Sequence, residues 1–237
     1  MRIRPGGGAL ALALLLAQAA SGAAAVDPTG RRLTLLGRSV DGLPIVAIET
    51  GDFDASRRVL VVGCIHGNEP AGIAIANRIS RIAPPHELDL WIVPVLNPDG
   101  VAAGTRGNAD GVDLNRNFPW EWKHLSGFFY SGPRPLSEPE SRIAFALIRR
   151  TRPQMSIWFH QHMGLVDESG GRLTVERRFA ALVGLPLARL AREPGSVVGW
   201  ENHVLPRSTA FVVELPAGSL SAAAVRRYAD AVETVSR

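Results

Sequence analysis

In 237 residues the chain has one cysteine, Cys64, one lysine, Lys123, and two tyrosines, Tyr130 and Tyr228. A lone cysteine excludes an intrachain disulfide even in an oxidising compartment, so stability has to come from packing. Cys64 sits in the apolar run Val59 to Ile65, where a thiol acts as a small core side chain. A strong charge of either sign is also missing: the formal net charge is +4, carried almost entirely by arginine. An excess that small gives no footing for nucleic acid, and none is expected as a partner. Internal repeats and low-complexity linkers are absent. The 46% hydrophobic and 20% charged content is that of an ordinary globular chain able to bury a full core.

The longest apolar stretch near the start is short. Arg2 and Arg4 precede Ala9 to Leu16, and the small residues Ser21 to Ala25 follow, with Ala23-Ala24-Ala25 as an A-x-A site before Val26. That is the layout of a signal peptide, and the run is too short to cross roughly 30 Å of hydrocarbon. The expectation is removal of residues 1–25 on export, leaving 26–237 as a single catalytic domain, secreted or periplasmic, with no stable membrane insertion. Cleavage would take away two arginines and lower the net charge to +2.

Beyond the leader, Val- and Ile-rich runs alternate with helical stretches, the pattern of an α/β protein. Strands are expected at Val59 to Ile65, Trp91 to Leu96, Ser156 to Phe159 and Ala210 to Val213, and helices over Ala71 to Ile82 and Leu220 to Val235. Asn97-Pro98-Asp99-Gly100 reads as a turn that opens a long polar loop to about Trp122. Ser137 and Glu140 have the spacing of a capping box before a further helix with Ile143, Ala144, Leu147 and Ile148 on one face. Polar residues follow several strands: His66 and Glu69, then His160, then Glu214. Sheets of this class bind ligands at the carboxyl ends of their strands, so these segments are expected to meet at one edge.

His66 and Glu69 lie three apart in H-G-N-E, a Gly-containing turn that lets an imidazole nitrogen and a carboxylate oxygen converge on one ion. With a distant histidine they make the His₂Glu set of a catalytic zinc site, which keeps a fourth position open for water. His160 is the favoured third ligand. His162 competes with it, because residues i and i+2 of a strand face the same side.

With N-P-D-G at 97–100, Arg106, G-V-D-L-N-R-N-F at 111–118, W-F-H-Q-H at 158–162 and F-V-V-E-L at 211–215, the chain resembles the zinc carboxypeptidase family. It is most similar to its murein peptide amidase branch, from about Leu35 to the C-terminus. The resemblance implies a three-layer α/β/α sandwich around a mixed, mostly parallel sheet, one Zn²⁺ per chain, and hydrolysis of a C-terminal peptide or amide bond by a zinc-bound water. It also implies a substrate with a free C-terminal carboxylate, in this branch a murein peptide cut at the γ-D-glutamyl-diaminopimelate bond. Glu214 would be the general base and then the acid, Arg106 the cation that stabilises the oxyanion, Asn115 and Arg116 the grip on the terminal carboxylate, and Asp113 the partner that orients His66.

The chain departs from the archetypal digestive carboxypeptidases in their mobile active-site tyrosine: neither Tyr130 nor Tyr228 falls in the segment before Glu214. Trp200, Glu201, Asn202 and His203 do, and one of them is expected to cover the substrate or donate a hydrogen bond instead. His86 and His124 lie in polar loops and are assigned no role. Two other functions remain open. One is a zinc amidohydrolase of the aspartoacylase and succinylglutamate desuccinylase type, which shares H-G-N-E and an Asp-Leu-Asn-Arg segment. The other is a non-catalytic peptide-binding module on the same fold.

Overall fold

The computed structural model describes residues 25–27, 29–82 and 87–237. The leader expectation, residues 1–25, lies outside this set except for Ala25, and His86 lies outside it too. Strands β1 Ala25–Val26, β2 Arg32–Arg38, β3 Pro44–Gly51, β4 Arg57–Val62, β5 Leu88–Val93, β6 Met155–Asp167, β7 Leu187–Ala188 and β8 Thr209–Pro216 form one sheet. Their order is β1-β2-β3-β5-β4-β6, with both β7 and β8 pairing β6. The pairings from β1 to β5 along that order are antiparallel, and those among β5, β4, β6, β7 and β8 are parallel. The sheet is thus mixed.

Alternation along the central strands divides the core into two layers, because successive side chains point to opposite faces. Val59, Val61, Ile92, Ile157, Phe159, Phe211 and Val213 face one side. There they meet helices α1 Ala71–Ile79, α4 Leu173–Val183 and α6 Ala222–Ser236. Leu60, Val62, Val93, Trp158 and Val212 face the other, against α3 Pro139–Thr151 and α5 Val197–Val204. Helices on both faces of a largely parallel sheet make the α/β/α sandwich. Among the described residues no helix is long and apolar enough to cross a membrane.

Several local expectations shift. Asn97 does not end in a simple turn. Its side chain accepts from Gly100 N at 2.9 Å and caps the short helix α2 Pro98–Ala103, with Pro98 in the first turn. The capping box at Ser137 does not form. Glu138 takes the cap position without a side-chain cap bond, and Glu140 instead accepts Val40 N at 3.0 Å, which ties the helix to a distant loop. Strand β5 begins at Leu88 rather than Trp91, and the polar Asp89 accepts Trp91 Nε1 on Oδ2 at 2.9 Å. Strand β6 continues well past His160 to Asp167, through register irregularities that begin at His162/Met163.

Candidate metal centre and its pocket

The turn after β4 brings His66 and Glu69 to the edge of the parallel strands. Gly67 is required there by close approach: a Cβ on it would stand 1.8 Å from the carbonyl carbon of Gly100. The H-G-N-E turn therefore lies directly on the backbone of the N-P-D-G helix, and the two segments fix each other. From the neighbouring strand β6, His160 reaches the same point. Its register partner on β8 is Glu214, which is half-buried.

Three donor atoms converge. His66 Nδ1 lies 3.0 Å from Glu69 Oε2, His160 Nδ1 lies 3.1 Å from Glu69 Oε2, and the two Nδ1 atoms are 3.1 Å apart. All three side chains are buried. Zinc bonds of about 2.0–2.1 Å in tetrahedral geometry set ligand atoms roughly 3.3 Å apart, so this triangle is close to one face of such a tetrahedron. The chemistry of the donor set agrees. His66 Nε2 contacts Asp113 Oδ1 at 2.9 Å, which places its proton on that side and leaves the Nδ1 lone pair facing a carboxylate and a second imidazole. Lone pairs aimed at one another call for a cation between them. The residues present therefore fit a divalent metal, and His66, Glu69 and His160 could hold it.

Around this triangle Arg106 donates from Nη1 to Glu69 Oε1 at 2.8 Å and from Nε to Asp113 Oδ2 at 2.9 Å. Two buried carboxylates against one guanidinium leave the cluster negative, which again suits a cation. Burial alone would raise the Glu69 carboxyl, but the His160 and His66 imidazoles beside it outweigh burial and hold it well below the usual carboxylate range. Asp113 is held low in the same way, burial being overcome by His66 and Arg106. Burial pulls the His66 imidazole down, and Asp113 and Glu69 more than offset it, so it stands above its ordinary value. Cys64 faces the metal turn, its Sγ 3.0 Å from His66 O, and burial pushes its thiol up to about 12, which keeps it protonated and inert.

Asp113 also accepts Asn115 N at 2.9 Å, capping a single 3₁₀ turn, Leu114–Arg116. Asn115 and Arg116 are thereby presented to the same pocket. Asn115 Oδ1 accepts Val197 N at 3.0 Å, and Arg116 lies under the Phe129 ring at 5.0 Å. Burial lowers the Arg116 guanidinium from its ordinary value. The pocket, about 710 Å³, is lined by His66, Glu69, His160, Arg106, Asn115, Arg116 and Glu214 together.

His162 lines the pocket but is exposed, and it is not part of the donor triangle. The 200–203 segment does not cover the site. Trp200 is buried against Phe145 at 4.6 Å, Glu201 is fully buried, Asn202 bonds to Ala210 O at 2.9 Å, and His203 stacks on Trp120 at 3.3 Å. It forms helix α5, which props the sheet from below. Neither tyrosine lines the pocket, and His124 lies elsewhere beside Tyr130 at 6.0 Å. The rim consists instead of Phe128, Phe129 and Met163, with Asp167, Arg192 and Glu193 along one wall, none of which carries a sequence signal. Gln161 also went unsuspected: its backbone N–H donates to Glu69 Oε2 at 3.1 Å and its side chain accepts Ala71 N at 2.9 Å.

The family model described as zinc carboxypeptidase matches residues 17–167. Murein peptide amidase A of Escherichia coli K12 is 30% identical over 146 residues, 56% of this chain and 60% of that protein, so the chain spans somewhat over half of this relative's length. The protein of the same name from Vibrio campbellii is 30% identical over 200 residues, 77% of this chain and 79% of that one. Among solved structures, murein-tripeptide amidase MpaA from Escherichia coli O157 superposes with a TM-score of 0.74 at 27% identity, covering 86% of this chain and 91% of that one.

Proposed function

The chain belongs to the zinc carboxypeptidase family, and from that premise we propose that it removes the C-terminal residue of a peptide ending in a free carboxylate. His66, Glu69 and His160 hold one zinc ion per chain in this reading. Held there, the ion would supply Lewis-acid chemistry, polarising the scissile carbonyl and lowering the pKa of water. Glu214 accepts the proton of the attacking water and returns it to the leaving amine. Arg106 has its Nε and Nη1 fixed by Asp113 and Glu69, which orients the guanidinium plane and leaves Nη2 to stabilise the oxyanion. Asn115 and Arg116 hold the terminal carboxylate, and Asp113 sets the tautomer of His66.

The observation that carries this reading is the donor triangle opposite Glu214 across one strand register. The names of the amidase relatives support a murein peptide as substrate, and the bond we propose is cut is the γ-D-glutamyl-diaminopimelate bond. In the same reading residues 1–25 are a cleaved signal peptide and 26–237 a single exported catalytic domain, which would place the enzyme beside the cell wall. The test is hydrolysis of a murein tripeptide by the purified protein, as free acid and as C-terminal amide, with and without chelator. Cleavage of the acid alone, abolished by chelation, is the expected result. Equal cleavage of acid and amide would remove the carboxylate grip and turn the assignment toward an endopeptidase or a general amidase.

A further inference from the structure

The rim of the pocket carries two phenylalanines that the core does not use. Phe128 is 68% exposed and Phe129 43%, and their rings meet edge to face with centroids 5.0 Å apart. Both belong to a single 3₁₀ turn, Gly127–Phe129, entered through Gly127 at a φ of +66°, which glycine adopts without strain. The backbone that carries the rings is fastened to the site. Tyr130, the next residue, accepts Asp113 N on its carbonyl at 2.7 Å, and Ser131 O accepts Asn117 Nδ2 at 2.8 Å. Asp113 is the carboxylate that already meets His66 and Arg106.

Apolar surface left in water at the mouth of a pocket marks a place where something else is at stake, and what these rings face is charge. The Phe129 ring centre lies 5.0 Å from Arg116 Cζ and 5.4 Å from Arg106 Cζ, and that of Phe128 lies 5.3 Å from Arg106 Cζ. All three are within the roughly 6 Å at which the face of a ring attracts a cation. Both guanidinium groups lack something a ring supplies. Burial lowers Arg116 from its ordinary value, and the like charge of Arg106 adds to that. Arg116 Nε is buried with no hydrogen-bond partner, while its Nη1 donates to Asn115 O at 3.0 Å. Arg106 is bonded along one edge only, through Nε and Nη1, and edge bonds hold a planar group within its plane better than they stop it tilting. A ring face in reach of both cations opposes the tilt of one and the desolvation of the other, and it occupies none of the N–H groups that substrate needs. We infer that Phe129 is a positioning residue shared by two arginines, holding Arg106 at the oxyanion and Arg116 at the terminal carboxylate, with Phe128 supporting Arg106 alone. The inference rests on the reading of Arg106 and Arg116 under the proposed function.

Two readouts on the zinc-loaded protein separate the two contacts: kcat on the murein tripeptide for Arg106, and calorimetric binding of free diaminopimelate, without turnover, for Arg116. Phe129→Leu keeps apolar bulk and removes the ring face. It lowers kcat about fivefold, because the oxyanion exists only in the transition state, and weakens diaminopimelate by about the same factor. Phe128→Leu lowers kcat a few-fold and leaves diaminopimelate binding unchanged. Phe129→Tyr, which keeps the ring face, restores both readouts to near wild type. Phenylalanine fluorinated on its ring at position 129, close to the native shape but with a depleted face, gives losses that deepen with each fluorine. Wild-type behaviour in Phe129→Leu, a loss confined to one readout, a loss in Phe129→Tyr as large as in Phe129→Leu, or no trend with fluorination overturns the inference. The C-terminal amide of the tripeptide separates the two levels. If wild type cleaves acid and amide equally, the carboxylate grip fails and takes the inference with it. If the acid is preferred but Phe129→Leu matches wild type, the inference fails alone.

Discussion

Replacing Glu201 by glutamine should stabilise the protein at pH 8 and leave it nearly unchanged at pH 5. Glu201 lies on α5 with no exposed surface, its Oε1 accepting the Ser156 hydroxyl at 2.5 Å and its Oε2 without a partner. Burial pushes its carboxyl from the ordinary 4.5 up to about 7, against the opposing pull of the serine hydroxyls. The folded state therefore keeps the proton to higher pH than the unfolded chain. The stability this confers is complete below about 4.5, falls as pH rises toward 7, and is gone above it. At roughly 1.4 kcal/mol per tenfold change in proton affinity, the ionised group costs about 3 kcal/mol at pH 8. Glutamine carries no charge to bury. Urea denaturation of both proteins across pH 5 to 8 reads the difference directly, and Glu176, which burial also pushes up to about 7, cancels because both proteins contain it. Two parallel stability profiles, offset by a constant amount, would refute the reasoning.

Glu214→Gln should keep its zinc and lose several orders of magnitude in kcat, since the amide cannot accept a proton. A rate near wild type in steady-state assays would take Glu214 out of the mechanism. Asp113→Asn should weaken zinc by about 10–100-fold without removing a ligand, because it breaks the contact that sets the His66 tautomer. Competition with a fluorescent zinc chelator measures this, and an unchanged affinity would make Asp113 merely structural.

The sandwich was legible because β4, β5, β6 and β8 each contain a continuous apolar run, and such runs mark strands buried on both faces. The antiparallel strands β2 and β3 were not, since their burial is mixed and Arg32, Arg38 and Glu49 interrupt the pattern. The residues that meet at the pocket were legible where they follow a strand, because sheet topology brings strand ends together whatever the loops between them do. His160 sits within a longer strand than the apolar run implied, yet its register against Glu214 leaves it facing the same edge. The wall and rim residues Phe128, Phe129, Asp167 and Glu193 were invisible. Phe128, Phe129 and Glu193 come from a 3₁₀ turn and a loop whose paths are set by contacts such as Gly195 against Arg116, and Asp167 closes β6 beyond its register irregularities, so no periodicity encodes them. The 200–203 segment misled for a related reason: its position before Glu214 suggested a cover, whereas Val197, Val198 and Trp200 turn it into a core helix.

The central claim, that the protein is a zinc enzyme built on His66, Glu69 and His160, is tested most directly by elemental analysis of the purified protein alongside its His160→Ala and His162→Ala variants. About one zinc per chain is expected in the wild type and in His162→Ala, and none in His160→Ala. Zinc lost from His162→Ala and retained in His160→Ala, or full wild-type activity in protein shown to be free of metal, would contradict it.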